Sequence, residues 1–222
     1  MNLTAEPIEV ERGGRLALSA PGFEVAAGQA GILRGPNGAG KSTLLRALAG
    51  LLPLSAGDAR LDGLGLKADR EEFMAKVAYA GHLDAVKPAM SVRENLASWV
   101  ALYETDASGV DPALDAFDLA AIADTPAAYC SAGQKRRLGL SRLLVMDRPL
   151  WLLDEPTVSL DAASVALFAR VVSDHCAAGG AALAATHIEI GLPEGPRIEI
   201  VPPQEATADE ADPFLTGAWE GS

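Results

Sequence analysis

The sequence predicts an α/β fold with a mostly parallel core sheet, and three observations support this prediction. A glycine-rich segment fits the phosphate-binding pattern G-x-x-x-x-G-K-[ST], between a strand candidate at 31–33 and a helix candidate at 43–49. Two further apolar runs, 150–153 and 181–185, have the length and composition of strands that are buried on both faces. Between 88 and 146 strand signals give way to helical spacing, which indicates an inserted helical segment.

The glycine-rich segment predicts a nucleotide site. Glycines allow backbone angles that a side chain forbids, so the turn can aim successive N–H groups at anionic oxygens. Lys41 adds a positive charge for the β- and γ-phosphates, and the Ser42 hydroxyl suits Mg²⁺, which usually keeps several waters. The helix that follows directs its positive end at the same phosphates. The predicted nucleotide-binding residues of this loop are Gly35, Pro36, Asn37, Gly38, Ala39, Gly40, Lys41, Ser42 and Thr43.

Composition narrows the class of partner. The chain has 222 residues, 49% of them hydrophobic, which suffices for one large α/β domain or two small ones. Its 18 basic and 30 acidic residues give a net charge of −12, which argues against unspecific binding to nucleic acid or to an anionic lipid surface. Two cysteines do not make a disulfide framework, so we expect a reducing compartment.

Short strands are predicted from runs of apolar and β-branched residues bounded by glycine and proline. They cover 8–10, 15–18, 22–25, 59–61 and 77–80. The first three predict an antiparallel edge sheet ahead of the glycine-rich loop.

The C-terminal part of the sequence predicts one more helix, one more strand and a tail. The helix begins at Asp161, carries apolar residues at helical spacing and ends at Gly179–Gly180. The strand at 198–201 closes the predicted domain, 1–201. The segment 202–222 is acidic and contains proline, which predicts a disordered tail. Its aromatic residues leave open whether the tail is simply solvated or carries a short docking motif.

Two carboxylates follow the apolar run at 150–153. At the end of a parallel strand beside the glycine-rich loop, Asp154 would hold Mg²⁺, indirectly or through water. Glu155 lies one residue further on and could accept a proton from an attacking water. An ordinary exit from a strand would also fit Asp-Glu-Pro, but the upstream glycine-rich loop favours the metal and base assignments.

The segment Ser131–Gln134 precedes an apolar helix and has the pattern S-x-x-Q of a capping box. Two interpretations stay open from these residues alone. The segment could only cap its helix, or its free N–H groups could face a phosphate.

Taken together, these motifs resemble the ATP-binding cassette of ABC transporters in their order and approximate spacing. The motifs are Gly35–Ser42, Ser131–Gln134, Leu150–Glu155, Ser159–Asp161 and Thr186–His187. The resemblance implies a P-loop NTPase of the ABC ATPase type. It implies an N-terminal antiparallel β subdomain and a helical subdomain at about 88–146.

The resemblance also implies how ATP would be held and hydrolysed. Two cassettes pack head to tail, so that ATP on one loop is closed by Ser131, Ala132, Gly133 and Gln134 of the second copy. Asp161 belongs to the loop that crosses between the two sites. His187 would contact the γ-phosphate and support the attacking water.

Two departures from the common family pattern mark a subfamily. His82 stands where the family usually has glutamine, after the strand at 77–80, and it could serve the attacking water or the coupling to a membrane partner. The family commonly stacks adenine on an aromatic residue upstream of the glycine-rich loop, but the corresponding region here, 11–15, has none, and Arg12 could stack there instead.

With these departures, the chain resembles the heme exporter ATP-binding subunit of the bacterial cytochrome c maturation system. The segments that carry this resemblance are 79–82, 91–96, 131–137, 149–156 and 184–187. It implies a peripheral subunit on the cytoplasmic face of the bacterial inner membrane. It also implies separate multi-span membrane subunits, with ATP and Mg²⁺ as cofactors. ATP hydrolysis would drive heme export or the release of heme from a periplasmic heme chaperone.

Three alternatives remain at this point. The chain could serve another small ABC exporter, or act as a soluble ABC-type ATPase on ribosomes or DNA, which its acidic charge disfavours. It could also bind ATP without turnover, which the presence of both Glu155 and His187 argues against. Co-purification with a membrane protein and steady-state phosphate release discriminate among these alternatives.

Overall fold

The structure is a computed structural model that describes residues 1–203. The strands are β1 (Asn2–Ala5), β2 (Ile8–Arg12), β3 (Arg15–Ala20), β4 (Phe23–Ala26), β5 (Ala30–Arg34), β6 (Ala59–Leu61), β7 (Leu64–Gly65), β8 (Val77–Ala80), β9 (Leu150–Asp154), β10 (Ala181–Ala185) and β11 (Arg197–Glu199). The helices are α1 (Lys41–Leu48), α2 (Arg70–Met74), α3 (Val92–Tyr103), α4 (Val110–Ala116), α5 (Ala132–Val145) and α6 (Ala162–Ala177). Apart from Pro202 and Pro203, the predicted tail lies outside the described residues.

A five-stranded sheet forms the centre of the molecule. Its strand order is β11-β5-β10-β9-β8, and each neighbouring pair is parallel. The predicted parallel core sheet is therefore confirmed, with the apolar runs at β9 and β10 in its interior. Because the strands are parallel, the loops that follow β5, β8, β9 and β10 all leave from the same edge.

The N-terminal strands pair differently from the prediction. The sequence predicts one antiparallel edge sheet from three strands, but β2 and β3 form a separate two-stranded ribbon. The third predicted strand, β4, belongs to a four-stranded antiparallel sheet with the order β4-β1-β6-β7. This sheet depends on β1, which pairs with both β4 and β6 and was not predicted from the sequence.

The core sheet separates two apolar clusters. Along β9, Trp151 and Leu153 pack into the cluster shared with α3, α4, α5 and α6. The alternate residues, Leu150 and Leu152, pack into the cluster shared with α1 and the antiparallel strands. This alternation follows from the two-residue period of a strand, so β9 contributes to both cores at once.

The segment 88–146 contains α3, α4 and α5 with short 3-10 turns between them. Ser91 and Glu94 close a capping box at the start of α3, and Ser131 and Gln134 close another at the start of α5. These helices share an apolar core with one face of the sheet. Their status as a separate subdomain stays a prediction. Within residues 1–203, no helix is both long and apolar enough to cross a membrane.

The N-termini of α6 and α1 carry predicted site residues. The predicted helix after Asp161 is α6, and the Asp161 carboxylate accepts a hydrogen bond from Ser164 N at 2.8 Å. That backbone N–H holds the pKa of Asp161 below its ordinary value, so the cap is ionised at neutral pH. The helix of the glycine-rich loop, α1, begins at Lys41, two residues before the predicted start.

Candidate nucleotide site

The glycine-rich loop joins β5 to α1 through backbone that side chains would obstruct. Gly35 has φ 141° and Gly40 has φ 104°, both in the region that glycine tolerates best. A Cβ at Gly35 would lie 2.2 Å from Ile200 O, and a Cβ at Gly40 would lie 2.8 Å from Leu18 Cδ1. These two glycines are therefore needed for the loop to lie close against β3 and the end of β11.

Lys41 lies at the first turn of α1 with its charge turned back over the loop. Its Nζ donates to Gly35 O at 2.7 Å and to Pro36 O at 2.9 Å, and the residue is only 8% exposed. These bonds hold the ammonium over the N-terminus of α1, where helix dipole and free N–H groups already favour an anion. The position suits a charge that meets the phosphates of a bound nucleotide.

Ser42 and Asp154 meet across the gap between α1 and β9. Ser42 Oγ donates to Asp154 Oδ1 at 2.7 Å, and Tyr79 OH donates to Asp154 Oδ2 at 3.1 Å. A hydroxyl and a carboxylate are oxygen ligands of the kind that Mg²⁺ takes. Together with phosphate oxygens and water they fit this ion, because P-loop sites supply few protein ligands of their own.

Glu155 and His187 come together from neighbouring strands. Glu155 Oε1 lies 3.1 Å from His187 Nε2, and Glu155 N donates to Ala185 O at 2.9 Å. The backbone of Glu155 has φ 47°, a left-handed conformation that disfavours most residues with a side chain. This turn brings its carboxylate next to the imidazole and not along the line of β9.

A cavity of about 350 Å³ brings together part of the glycine-rich loop and two of the predicted catalytic residues. It is lined by Asn37, Gly38, Gly40, Lys41, Ser42, Thr43, Glu155 and His187. A larger cavity of about 510 Å³ lies near the other end of β9, beside Trp151 and His175, and none of the described residues lining it is a predicted site residue. The smaller cavity is the candidate site because it combines the loop and the candidate base, and because Ser42 in its lining donates to Asp154.

Other predicted residues lie outside the lining of this cavity. The capping box of α5, Ser131, Ala132, Gly133 and Gln134, is partly or fully exposed, as is Asp161 at the start of α6. Arg12 is exposed at the end of β2, and His82 is exposed in the loop after β8. Their roles in nucleotide binding and catalysis stay predictions.

Two side chains beside the site were not predicted from the sequence. Tyr79 donates to Asp154, and burial raises the pKa of this phenol, so it remains a donor at neutral pH. Arg136, on α5, donates to the backbone oxygens of Glu155 and Pro156. The alternation of side chains along a strand could have placed Tyr79 on one face of β8, but no local signal in the sequence indicates its hydrogen-bond partner.

Comparison with known proteins supports the nucleotide site that the geometry indicates. A sequence model of the family "ABC transporter" matches residues 18–158. The cytochrome c biogenesis ATP-binding export protein CcmA of Rhodobacter capsulatus is 52% identical over 200 residues, covering 90% of this chain and 87% of that protein. The protein of the same name from Cereibacter sphaeroides is 50% identical over 213 residues, covering 96% of this chain and 95% of that protein.

Solved structures agree on the fold. An ATP-binding subunit of an ABC transporter superposes with a TM-score of 0.74 at 25% identity, covering 85% of this chain and 80% of that one. A putative ABC transporter ATP-binding protein from Pyrococcus furiosus superposes with a TM-score of 0.79 at 19% identity, covering 90% of this chain and 98% of that one. The chain therefore belongs to the ABC transporter family of ATP-binding proteins, and within it to the group of cytochrome c biogenesis ATP-binding export proteins.

Proposed function

We propose that this chain is the ATP-hydrolysing subunit of an ABC export complex for cytochrome c biogenesis, and that the complex exports heme or releases it from a heme chaperone. The observation that supports hydrolysis best is the single cavity shared by Lys41, Ser42, Glu155 and His187. The names of its close relatives, cytochrome c biogenesis ATP-binding export proteins, support the process. The cargo rests on the resemblance to heme exporters.

The residues around the cavity have distinct tasks in this proposal. Lys41 and the N–H groups of the loop bind the β- and γ-phosphates, and Ser42 and Asp154 hold Mg²⁺, which neutralises charge on those phosphates. Glu155 orients a water and accepts its proton as the water attacks the γ-phosphorus. His187, which can hydrogen-bond both to Glu155 and to a phosphate oxygen, keeps that water in line.

A second copy of the chain completes the site in this proposal. The exposed capping box of α5 presents a helix N-terminus that does not contribute to the cavity of its own chain. A head-to-tail partner would bring that N-terminus to the phosphates from the opposite side. Asp161, exposed at the start of α6, would lie at the crossing between the two sites.

Membrane subunits are the other proposed partners, with the chain peripheral on the cytoplasmic face of the inner membrane. The loop after β8 supports this arrangement, because it leaves from the same strand edge as the site and exposes His82 and Leu83. Leu83 is 70% exposed and would add an apolar side chain to such a contact.

Affinity purification from detergent-solubilised membranes tests the proposal. We expect multi-span membrane subunits and a heme absorbance band to accompany the tagged chain, and the complex to release phosphate from ATP at steady state. A chain that releases phosphate but is recovered alone would be a soluble ATPase. A complex without heme, in a strain that makes cytochrome c, would point to a different cargo.

His82→Ala is predicted to uncouple hydrolysis from heme handling. The imidazole offers a donor and an acceptor at the edge where the site meets the proposed membrane partner, and alanine offers neither. We expect most of the ATPase activity to survive while the yield of holo-cytochrome c falls. Both quantities are measured in the same strain, with His82→Gln as a matched control that retains a donor and an acceptor. Unchanged values would show that His82 has no role, and a joint loss would assign it to the chemistry.

Tyr79→Phe is predicted to weaken the use of Mg²⁺. The ring remains but Asp154 loses the donor to Oδ2, so its carboxylate is less well oriented for the metal. Loss of such an outer hydrogen bond commonly costs about 10–100-fold in metal affinity, so the Mg²⁺ concentration for half-maximal hydrolysis should rise by about tenfold or more. Tyr103→Phe removes a phenol elsewhere and serves as the control. An unaltered Mg²⁺ titration would remove Tyr79 from the site.

A further inference from the structure

Arg136 connects two loops of the candidate site from inside the protein. It lies on α5 and is only 4% exposed. Its Nε donates to Pro156 O at 3.0 Å, and its Nη2 donates to Glu155 O at 2.8 Å. Its Nη1 donates to Gly81 O at 2.9 Å and to Asp84 Oδ1 at 3.0 Å. The guanidinium therefore ties the loop after β9 to the loop after β8.

The surface of α5 beyond Arg136 lies directly on the loop after β8. A Cβ at Gly139 would lie 2.8 Å from Asp84 O, so only glycine allows this approach without displacement. Arg142 donates to Asp84 O at 2.8 Å and to Tyr79 O at 3.0 Å. These hydrogen bonds attach the loop after β8 to α5 and fix the distance and orientation between the two.

Stability alone does not explain why the guanidinium of Arg136 is buried. Its transfer from water is unfavourable unless its donors are bonded and its charge is paired, and such pairs add little net stability. Here Asp84 pairs the charge of Arg136, while the other acceptors are backbone carbonyls. The planar fork of arginine reaches several acceptors at fixed angles, which suits a role in holding their relative positions.

Among the candidate site residues, Glu155 is bonded directly to this fork. Its left-handed backbone is held on one side by Ala185 O, which accepts from Glu155 N, and on the other by Arg136, which donates to Glu155 O. The carboxylate lies 3.1 Å from His187 in that conformation. Release of the carbonyl would allow the backbone to relax and the carboxylate to leave the position from which it addresses a water.

Arg136 and the capping box belong to the same helix. Ser131 caps α5 and Gln134 closes the box, so any displacement of this helix end is transmitted to Arg136 over little more than one turn. We infer that Arg136 is a positioning residue through which nucleotide held against Ser131–Gln134 sets Glu155 of the same chain. Because that nucleotide belongs to the other copy in the proposed dimer, Arg136 couples the two ATP sites, and this inference rests on the proposed function.

The first test compares Arg136→Lys with Arg137→Lys in the purified membrane complex. Lysine keeps the charge but replaces the fork by a single ammonium. Arg137 is the matched control because it donates to Phe117 O and Asp118, away from the cavity. The readouts are equilibrium ATP affinity, kcat and the Hill coefficient of hydrolysis.

For the wild-type complex we expect a Hill coefficient above one. For Arg136→Lys we expect unchanged ATP affinity, a loss of about tenfold or more in kcat, since misplacement of a reacting group by about 1 Å can cost 10²-fold, and a Hill coefficient near one. Arg137→Lys should retain all three wild-type values. If Arg136→Lys fails to assemble, Arg136→Gln, which needs no buried counter-charge, takes its place with the same expectation.

The second test uses dimers with one copy inactivated by Glu155→Gln. Arg136→Lys is placed either in the active copy or in the inactivated copy. We expect a loss of about tenfold in the first arrangement and little change in the second, because Arg136 acts on Glu155 of its own chain. An equal loss of hydrolysis in both arrangements would indicate a general loss of stability and would overturn the inference.

Different results would refute the proposed function and the inference about Arg136. A wild-type complex that does not hydrolyse ATP would refute the proposed function and the inference with it. Hydrolysis with a Hill coefficient of one in the wild type, or normal kcat and cooperativity in Arg136→Lys, would refute only the inference.

Discussion

Glu155→Gln is expected to bind MgATP with wild-type affinity and to hydrolyse it about 10²–10⁴-fold more slowly. Glutamine preserves the size of the side chain and a hydrogen bond to His187, but it cannot accept a proton from the attacking water. The left-handed backbone and its bonds to Ala185 and Arg136 involve only main-chain atoms of residue 155, so the fold should be unaffected.

The measurement for Glu155→Gln combines equilibrium ATP binding with phosphate release by the purified complex. Glu199→Gln makes the same chemical change on an exposed residue of β11 and serves as the control. Turnover near the wild-type value in Glu155→Gln would assign the base to another group. A parallel loss of ATP affinity would show instead that the carboxylate shapes the site.

Lys41→Ala is expected to lose both ATP affinity and hydrolysis. The ammonium lies over the loop, held by Gly35 O and Pro36 O, and in the proposed nucleotide complex it would meet phosphate oxygens. A charge-assisted hydrogen bond contributes about 1.5–3 kcal/mol, which corresponds to about 10–100-fold in affinity. This variant differs from Glu155→Gln because it removes a contact made in the bound ground state.

Equilibrium ATP binding is the decisive measurement for Lys41→Ala. The exposed Lys67 provides the control substitution to alanine, since it lies outside the candidate cavity. A folded Lys41→Ala protein with unchanged ATP affinity would contradict the assignment of the glycine-rich loop to phosphate binding.

The predictions from sequence were accurate where the signal is local. The glycine-rich loop, the apolar strand before Asp154 and the capping box at Ser131 each depend on residues that are adjacent in the chain. The parallel order of the sheet then brings Lys41, Asp154 and His187 to one edge without any further signal from the sequence. The fold class and the proximity of these residues could therefore be predicted, while their roles stay predictions.

The predictions were incomplete where distant segments choose their partners. β1 and β7 are short and have no distinctive pattern, and they are strands because β4 and β6 pair with them. The partner of Tyr79, Asp154, is 75 positions away in the chain, and Gly81 is 55 positions from Arg136. Such contacts depend on tertiary packing, which propensity and periodicity do not encode.

The attachment of α5 to the loop after β8 has a consequence for how this protein can diverge. Arg136 and Arg142 bind this loop and the end of β8 largely through main-chain oxygens of Tyr79, Gly81 and Asp84. Main-chain acceptors are present whatever side chains the loop carries, so substitutions at positions such as 82 leave the attachment intact. Mutation can therefore explore new side chains on this exposed loop, and adapt it to a different neighbour, while the hydrolytic centre beneath it retains its geometry.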